Sequence, residues 1–270
     1  MRNDSDPLDQ LVNAVLSSRK YAQISPEFVR SLALKEIRHQ RSYKEALKAT
    51  RSKLHQVAGA YLLSQPDYTS WLQRLQEAHT SPDPVALRHV CRDLMSSHAS
   101  TRERLPILEE FYPTVLAGLP PIRSVVDLAC GLNPLALPWM ELPSDVEYYA
   151  VDIYRDMLNF LGQFLRMLGI QSHPIHADML EFSLEREVDL ALLLKAIPCL
   201  EQIDRSAGKR LLASLPARQV LVSFPVYSLG GRSVGMLDTY AAHLHELVAG
   251  QAWSVRRFDF PTELVFLLSR

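Results

Sequence analysis

Residues 124–137, SVVDLACGLNPLAL, decide the fold. Val125 and Val126 form an apolar run that ends on Asp127. The chain then passes through Ala129, Cys130 and Gly131 to the turn-prone pair Asn133-Pro134, and a new apolar run follows. A buried parallel strand ends in this way, in a tight turn whose small residues let the backbone approach a ligand closely. Gly131 is free to take backbone angles closed to other residues. A second apolar run, VEYYAVDI, carries Asp152 roughly 20 residues after the turn, the spacing at which dinucleotide-type sites place an acid for a ribose hydroxyl pair. The full G-x-G-x-x-G is absent. A small nucleoside such as S-adenosylmethionine has no pyrophosphate to cradle and needs fewer glycines, so it suits this turn better than a dinucleotide. The competing reading at this point is an ordinary buried strand and turn.

Outward from the turn, strands and helices alternate. Strands are expected at 124–129, 146–153, 172–177, 188–195, 219–224, 254–260 and 263–268, with helices notably at 157–168, 205–215 and 235–248. Five β-α units followed by two closely spaced strands give a mostly parallel sheet that ends in an antiparallel hairpin. That is the plan of the α/β class I S-adenosylmethionine-dependent methyltransferase fold, a Rossmann-like seven-stranded sheet. Ligands in such sheets bind beyond the carboxyl ends of the strands at the topological switch point. The candidates are residues 127–133 after the first strand, Asp152 after the second, Asp178 after the third and Lys195 to Pro198 after the fourth. Asp152 would bond the ribose hydroxyls and Asp178 would sit near the adenine amino group. Ala129, Gly131, Ile153 and Met179 belong to the same cofactor site. Each aspartate alone reads equally well as a helix cap, but three in the expected places are harder to explain so.

The segment before residue 105 is different in kind. Leu8, Leu11, Val12, Val15 and Leu16 share one helical stripe, Ser25-Pro26-Glu27 opens a second helix, and Ser42 with Glu45 forms a capping box for a third that runs to Gly59. Further short helices are expected at 71–78 and 85–94, and Ser100 and Thr101 are placed to cap a helix over 105–116. Gly118-Leu-Pro-Pro121 marks the approach to the sheet. Residues 1–105 hold 16 Lys/Arg against 11 Asp/Glu, net +5, whereas residues 106–270 hold 13 against 19, net −6. A basic module joined to an acidic one points to a polyanionic partner. Lys44, Lys48, Arg51 and His55 recur at three- and four-residue spacing and share a helical face, which suits a phosphate backbone. A merely solvated face fits the same spacing equally well. The expected organisation is therefore a helical, basic docking domain over 1–105 and a methyltransferase domain over 106–270.

The remaining composition narrows the setting. The apolar content of 47% and charged content of 22% are those of a globular protein, and the longest uncharged apolar run, 190–194, cannot span a bilayer. The polar N-terminus lacks a signal-peptide core, which places the chain in the cytoplasm. Three widely spaced cysteines and nine histidines without H-x-x-x-H or His/Cys pairing imply neither a disulfide framework nor a metal. No uncommitted apolar stripe stands out, so a monomer is expected.

The chemistry is constrained by what is missing. Cytosine-C5 enzymes attack their base with a Pro-Cys cysteine. Here Pro198-Cys199 follows Lys195-Ala-Ile with no aspartate before the proline and no second cysteine after the fifth strand, so Cys199 reads as a packed residue. The Asn/Asp-Pro-Pro-aromatic tetrad that holds a target amino nitrogen is absent. Guanine N7 bears a lone pair and no proton, so its methylation needs neither a general base nor a covalent adduct, only alignment and exclusion of water. Phe224 and Tyr227, in the stretch SFPVYSLGGR from Ser223 to Arg232, could stack on an extruded base, although Phe224 alone is better read as core.

At these residues the chain resembles the aminoglycoside-resistance 16S ribosomal RNA (guanine-N7) methyltransferases of the guanine 1405 type. The resemblance rests on Ser18-Arg-Lys-Tyr21, Lys53-Leu-His55 through Gly59-Ala-Tyr61, His98-Ala-Ser-Thr-Arg-Glu-Arg104, Asp127-Leu-Ala-Cys-Gly-Leu-Asn-Pro-Leu-Ala-Leu137, Asp152-Ile153, Phe224-Pro225 with Ser228-Leu-Gly-Gly-Arg232, Gly235-Met236 and Thr262-Glu-Leu264. It spans nearly the whole chain in order. It implies S-adenosylmethionine as cofactor and methylation of the decoding-site guanine of 16S RNA in the assembled 30S subunit. It adds His98 to the cofactor contacts and pairs Arg104 with the cofactor carboxylate. Lys195, Ser228, Arg232 and Met236 fall where the family surrounds the target base, with no general base among them. Lys20, Lys48, Arg51 and His55 fall on its RNA-binding surface. Tyr227 and Val234 depart from the family, which has basic residues there. The alternatives are methylation of another position such as adenine N1, and an RNA- or ribosome-binding protein of this fold without transfer activity.

Overall fold

The computed structural model describes residues 6–40, 42–63, 65–226 and 236–270, the last from helix backbone at Met236 onward. Its centre is a seven-stranded sheet: β1 (Ser124–Leu128), β2 (Glu147–Asp152), β3 (Gln171–His176), β4 (Val188–Leu194), β5 (Ala217–Pro225), β6 (Ser254–Asp259) and β7 (Glu263–Ser269). The spatial order is β3-β2-β1-β4-β5-β7-β6. The first five strands run parallel, while β7 lies antiparallel between β5 and β6. Strand order reverses between β1 and β4, so the switch point lies at their carboxyl ends, beside the turn that follows β1. Every strand overlaps its expected span; the central ones, β1, β4, β5 and β7, are short apolar runs buried on both faces.

Side chains on successive residues of the central strands point to opposite faces, which builds two apolar layers. Val125, Tyr148, Leu190, Leu192 and Val265 face one layer; Val126, Val151, Ala191, Leu193 and Phe266 face the other. The second layer is completed by α10 (Ile197–Glu201), α11 (Ala207–Ser214) and α12 (Met236–Val248). The first is completed by α7 (Leu108–Val115), α8 (Leu137–Met140) and α9 (Arg155–Met167), and by the N-terminal helices.

Those helices are α1 (Pro7–Leu16), α2 (Pro26–His39), α3 (Tyr43–Leu54), α4 (Tyr68–His79), α5 (Ala86–Met95) and α6 (Ala99–Arg104). Capping side chains set their starts: Asp6 accepts from Leu8 N, Ser25 from Phe28 N, and Ser42 from Glu45 N while donating to the Glu45 carboxylate at 2.9 Å. Two expectations need correction. The third helix does not run unbroken to Gly59, because His55–Gly59 is a π-helical turn in which Ala60 N donates to His55 O. Ser100 and Thr101 do not cap the next helix either. They lie inside α6, and the Thr101 hydroxyl donates to Met95 O at 2.6 Å.

One apolar cluster runs from Leu11, Phe28, Leu54 and Leu75 on the N-terminal helices to Phe111, Val125, Tyr148 and Phe160 around the sheet. At its heart Tyr68 and Trp71 of α4 pack their rings on Phe160 of α9, at centroid distances of 5.0 and 5.7 Å. The backbone is joined as well: Ile24 bridges Tyr154, Ser25 N donates to Ile153 O, and Arg155 N donates to Gln23 O. A shared core of this kind makes the chain unfold as one unit. Phe160→Ala should cost about 3–5 kcal/mol, and urea denaturation should show one coincident transition by tryptophan fluorescence and far-ultraviolet circular dichroism, before and after the change.

Candidate active site

The turn after β1 departs from ordinary backbone at two positions. Ala129 (φ 51°) and Gly131 (φ 50°) both lie in the left-handed region, and Lys195, the equivalent residue after β4, joins them at φ 59°. Two non-glycine residues held there mark the ends of the two strands at the switch point as constrained. At Gly131 there is also no room for a side chain, since a Cβ would stand 2.8 Å from His98 Cε1.

Asp152 holds the turn from the neighbouring strand. Its Oδ2 accepts from Gly131 N at 2.9 Å and its Oδ1 accepts from Ile153 N and Tyr154 N at 2.7 and 3.2 Å. Burial raises its pKa, and the three backbone donors oppose that rise. Asp178 is buried at the end of β3, accepts from Leu180 N at 3.0 Å, and is likewise raised by burial. Beneath the turn, Asp127 accepts from Asn133 Nδ2 (2.9 Å) and the Tyr148 hydroxyl (2.7 Å), and burial pushes its pKa up to about 6.

Asp152 and Asp178 open on one cleft at the strand ends. His98, Ala129, Gly131, Asp152, Ile153, Asp178 and Met179 all line it, so seven of the eight expected cofactor residues come together. The eighth, Arg104, does not. It has no solvent exposure, and its guanidinium is engaged behind the cleft: Nε and Nη2 pair with the two Glu263 carboxylate oxygens at 2.9 and 3.0 Å, and Nη1 donates to Asn133 Oδ1 at 2.8 Å. Its face lies over the Phe111 ring. Burial alone would raise the Glu263 carboxyl, but the charges of Arg104 and Lys195 hold it below its ordinary range.

Lys195, expected beside a target base, borders the cleft with its ammonium already engaged. Its ammonium donates to Ser100 O at 2.6 Å and Glu103 Oε2 at 2.9 Å, and pairs by charge with Glu263 Oε1 at 3.1 Å. The side chain borders the cleft, but its charge is spent on α6 and β7. Ser228 and Arg232, and Tyr227 and Val234 with them, lie outside the described residues. Met236 is the first residue of α12, and its side chain lies outside the description.

The sequence reading missed the roof of the cleft. Phe28 of α2, Val57 and Ala58 of the π-turn, and Tyr61 line it from the N-terminal half, facing Tyr154, Met157 and Ile203. The signal was faint: Gly59-Ala-Tyr61 stands out as a motif, but nothing in it points at a ligand. Cys199, read as a packed residue, borders the cleft with its thiol 2.9 Å from the Tyr61 hydroxyl. Burial raises the pKa of both groups, so Cys199 carries its proton and is a poor nucleophile. Phe224 is fully buried and stacked on Tyr240, a core residue. Among the described residues no group of His, Cys, Asp and Glu is arranged to hold a metal ion.

His98 gives the cleft its most distinctive polar group. Its ring stacks on Tyr61, its Nδ1 is sealed from solvent without a hydrogen-bond partner, and burial, with the charges of Lys195 and Arg104, lowers its pKa to about 3. The basic residues expected to meet RNA are all exposed. Lys20 Nζ donates to His55 Nδ1 at 3.2 Å and Arg51 Nη2 to Ala14 O at 2.8 Å, which gathers three of them at one corner, with Lys48 on the same helix.

Residues 17–267 match the family described as ribosomal RNA methyltransferase (FmrO). The chain is 37% identical over 267 residues to a 16S rRNA (guanine(1405)-N(7))-methyltransferase of Micromonospora rosea, covering 98% of this chain and 97% of that protein. Among solved structures, the 16S rRNA methyltransferase RmtF in complex with S-adenosyl-L-homocysteine superposes with a TM-score of 0.82 at 34% identity, covering 98% of this chain and 99% of that one. The 16S rRNA methylase RmtB does so at 0.78 and 27%, covering 97% and 98%.

Two measurements test the site. Lys195→Met leaves the Glu103 carboxylate without its ammonium, so Glu103→Gln introduced into that variant should recover part of the lost thermal stability, with a coupling of about 0.5–3 kcal/mol in the double-mutant cycle; additive losses would show that the pair is not formed. For His98, the unfolded chain takes up a proton below its ordinary pKa of 6.5 that the folded chain refuses until about 3, so stability is lost as pH falls through that window. The melting-temperature advantage of the parent over His98→Gln should therefore shrink between pH 7.5 and pH 5.

Proposed function

We propose that the chain, which belongs to the ribosomal RNA methyltransferase (FmrO) family, transfers a methyl group from S-adenosylmethionine to N7 of guanine 1405 in 16S ribosomal RNA of the 30S subunit. The observation that carries this reading is the cleft at the switch point, where Gly131, Asp152, Asp178 and the unpartnered Nδ1 of His98 surround a space that a Cβ at Gly131 would narrow. Those features fit a nucleoside cofactor. Asp152 has lone pairs beyond its three backbone bonds for the ribose hydroxyls, and Asp178 with the following backbone faces the adenine side. We assign Arg104 a positioning role in place of direct contact with the cofactor carboxylate: through Asn133 it fixes Asp127 and the turn. Lys195 positions α6 in the same sense.

S-adenosylmethionine supplies an electrophilic methyl group on a sulfonium. The chain's own task is placement. N7 presents a lone pair with no proton to remove, and the cleft is built accordingly: His98 is neutral at physiological pH, and Cys199 and Tyr61 keep their protons. No covalent enzyme adduct is needed, and the described groups are poor ones for forming it. Phe28, Val57 and Tyr61 give the approach a largely apolar wall.

Residues 1–105 are the proposed 30S-docking domain, through Lys20, Lys48, Arg51 and His55, and residues 106–270 the catalytic domain. Ser228, Arg232 and Met236 keep their proposed place around the target base. The protein acts in the cytosol, where 30S subunits are found; no helix among the described residues is long and apolar enough to cross a membrane. It acts as a monomer, in keeping with exposed large apolar side chains (Leu34, Tyr43, Leu63, Val85, Leu237) scattered along the described chain.

Purified protein given tritiated S-adenosylmethionine should label 30S subunits and not naked 16S RNA. Borohydride and aniline treatment followed by primer extension should then stop at the decoding-site guanine, and expression in a susceptible bacterium should raise aminoglycoside resistance. Label at an adenine N1, or cofactor binding without any label on 30S, would replace this reading.

A further inference from the structure

We propose that the π-helical turn His55–Gly59 couples the cofactor cleft to the RNA-docking surface, so that each ligand tightens the binding of the other. This rests on the RNA reading above. The turn is a single five-residue element with a site on each side. Its inner residues, Val57 and Ala58, are part of the cleft wall. Its outer residue, His55, is exposed and accepts a hydrogen bond from Lys20. An ammonium can only donate, so His55 Nδ1 is the acceptor, its proton sits on Nε2, and that N–H is left for a phosphate oxygen. Gly59 makes the arrangement possible. A Cβ there would stand 3.1 Å from His55 Nδ1 and 3.3 Å from Lys20 Cε, crowding the side chain that crosses the turn.

A π-turn is a rare interruption of the α-helical ladder that recurs at functional sites. Here it packs against the cleft on one side and carries His55 on the other. A cofactor filling the cleft against Val57 and Ala58 orders the turn from inside, and a phosphate bridging Lys20 and His55 orders it from outside. The ordering cost is met once, by whichever ligand binds first, and the second ligand binds to an element already in place. Thermodynamic linkage then requires the same factor in both directions.

The test uses the full-length protein, purified 30S subunits and S-adenosylhomocysteine, which occupies the cleft without reacting. Affinity for 30S, measured by anisotropy of fluorescently labelled protein, should tighten at least about fivefold at saturating S-adenosylhomocysteine. Affinity for S-adenosylhomocysteine, measured by calorimetry with and without 30S, should tighten by the same factor. In Gly59→Ala, which adds bulk beside Lys20 and His55 but does not border the cleft, both factors should fall toward one. Equal 30S affinity with and without S-adenosylhomocysteine overturns the coupling and leaves the methyltransferase reading intact. Failure to bind 30S in either state removes both.

Discussion

The ion pair of Arg104 with Glu263 is the constraint around which this molecule is arranged. Both side chains are without solvent exposure, and two charges taken out of water are tolerable only where every other donor and acceptor on them is met. That demand propagates. Arg104 reaches Asn133, Asn133 reaches Asp127, and Asp127 takes the Tyr148 hydroxyl, while Tyr112 also donates to Asn133. On the other side Glu263 takes Lys195, which takes Glu103. One set of hydrogen bonds therefore joins β1 and its turn, β2, β4, β7, α6 and α7. Stranding any buried charge in it would cost about 3–5 kcal/mol, a large part of the roughly 5–15 kcal/mol that keeps a domain folded. An apolar replacement could match its stability. It would not fix the turn at Gly131 in one place.

The chemistry follows from the same economy of free groups. Asp152 is tied to three backbone donors, Lys195 to Ser100, Glu103 and Glu263, and His98, Tyr61 and Cys199 hold uncharged forms through burial. Few groups in the described cleft are left to exchange a proton near neutral pH. For a nitrogen that carries a lone pair and no proton, such a site lacks nothing. Moving a positive charge from a sulfonium to a purine creates no net charge, so an apolar wall does not oppose the transfer, and the rate depends on how accurately the two partners are aligned.

How much of this could be read from the residues depended on the range of the interaction. The central strands were legible because each is a local apolar run, and the turn because Ala129, Cys130, Gly131 and Asn133 lie within five residues of one another. Asp152 and Asp178 were legible because a parallel sheet puts each strand end at the same edge. The partner of Arg104 was not, since Glu263 lies 159 positions away and no periodicity links them. The resemblance placed Lys195 at a base, but only the assembled structure shows its ammonium engaged by Ser100, Glu103 and Glu263. The π-turn was read as helix because apolar spacing continues through Leu54, Val57 and Ala58, and one extra residue per turn is invisible to a pattern of threes and fours. For the same reason the roof of the cleft went unseen: Phe28 and Tyr61 are ordinary core residues until another part of the chain is folded beneath them.

Charge and packing divide this chain differently, and the difference bears on how docking could serve catalysis. By charge the molecule splits near residue 105, net +5 against −6. By packing it does not split there, because Leu11, Phe28 and Leu54 belong to the same apolar cluster as Val125 and Phe160, and the bridge of Ile24 to Tyr154 ties the backbone across. A basic module on a flexible tether would raise the local concentration of RNA but leave the target base to find the cleft by diffusion. A misplacement of about 1 Å can cost a hundredfold in rate. On the proposed reading the docking surface adjoins the wall of the cleft, so that phosphates held at Lys20 and His55 would also set the distance from the RNA to Gly131 and Asp152. In a reaction that asks its enzyme mainly for alignment, the shared core between the two halves bears directly on how a docked base would be placed.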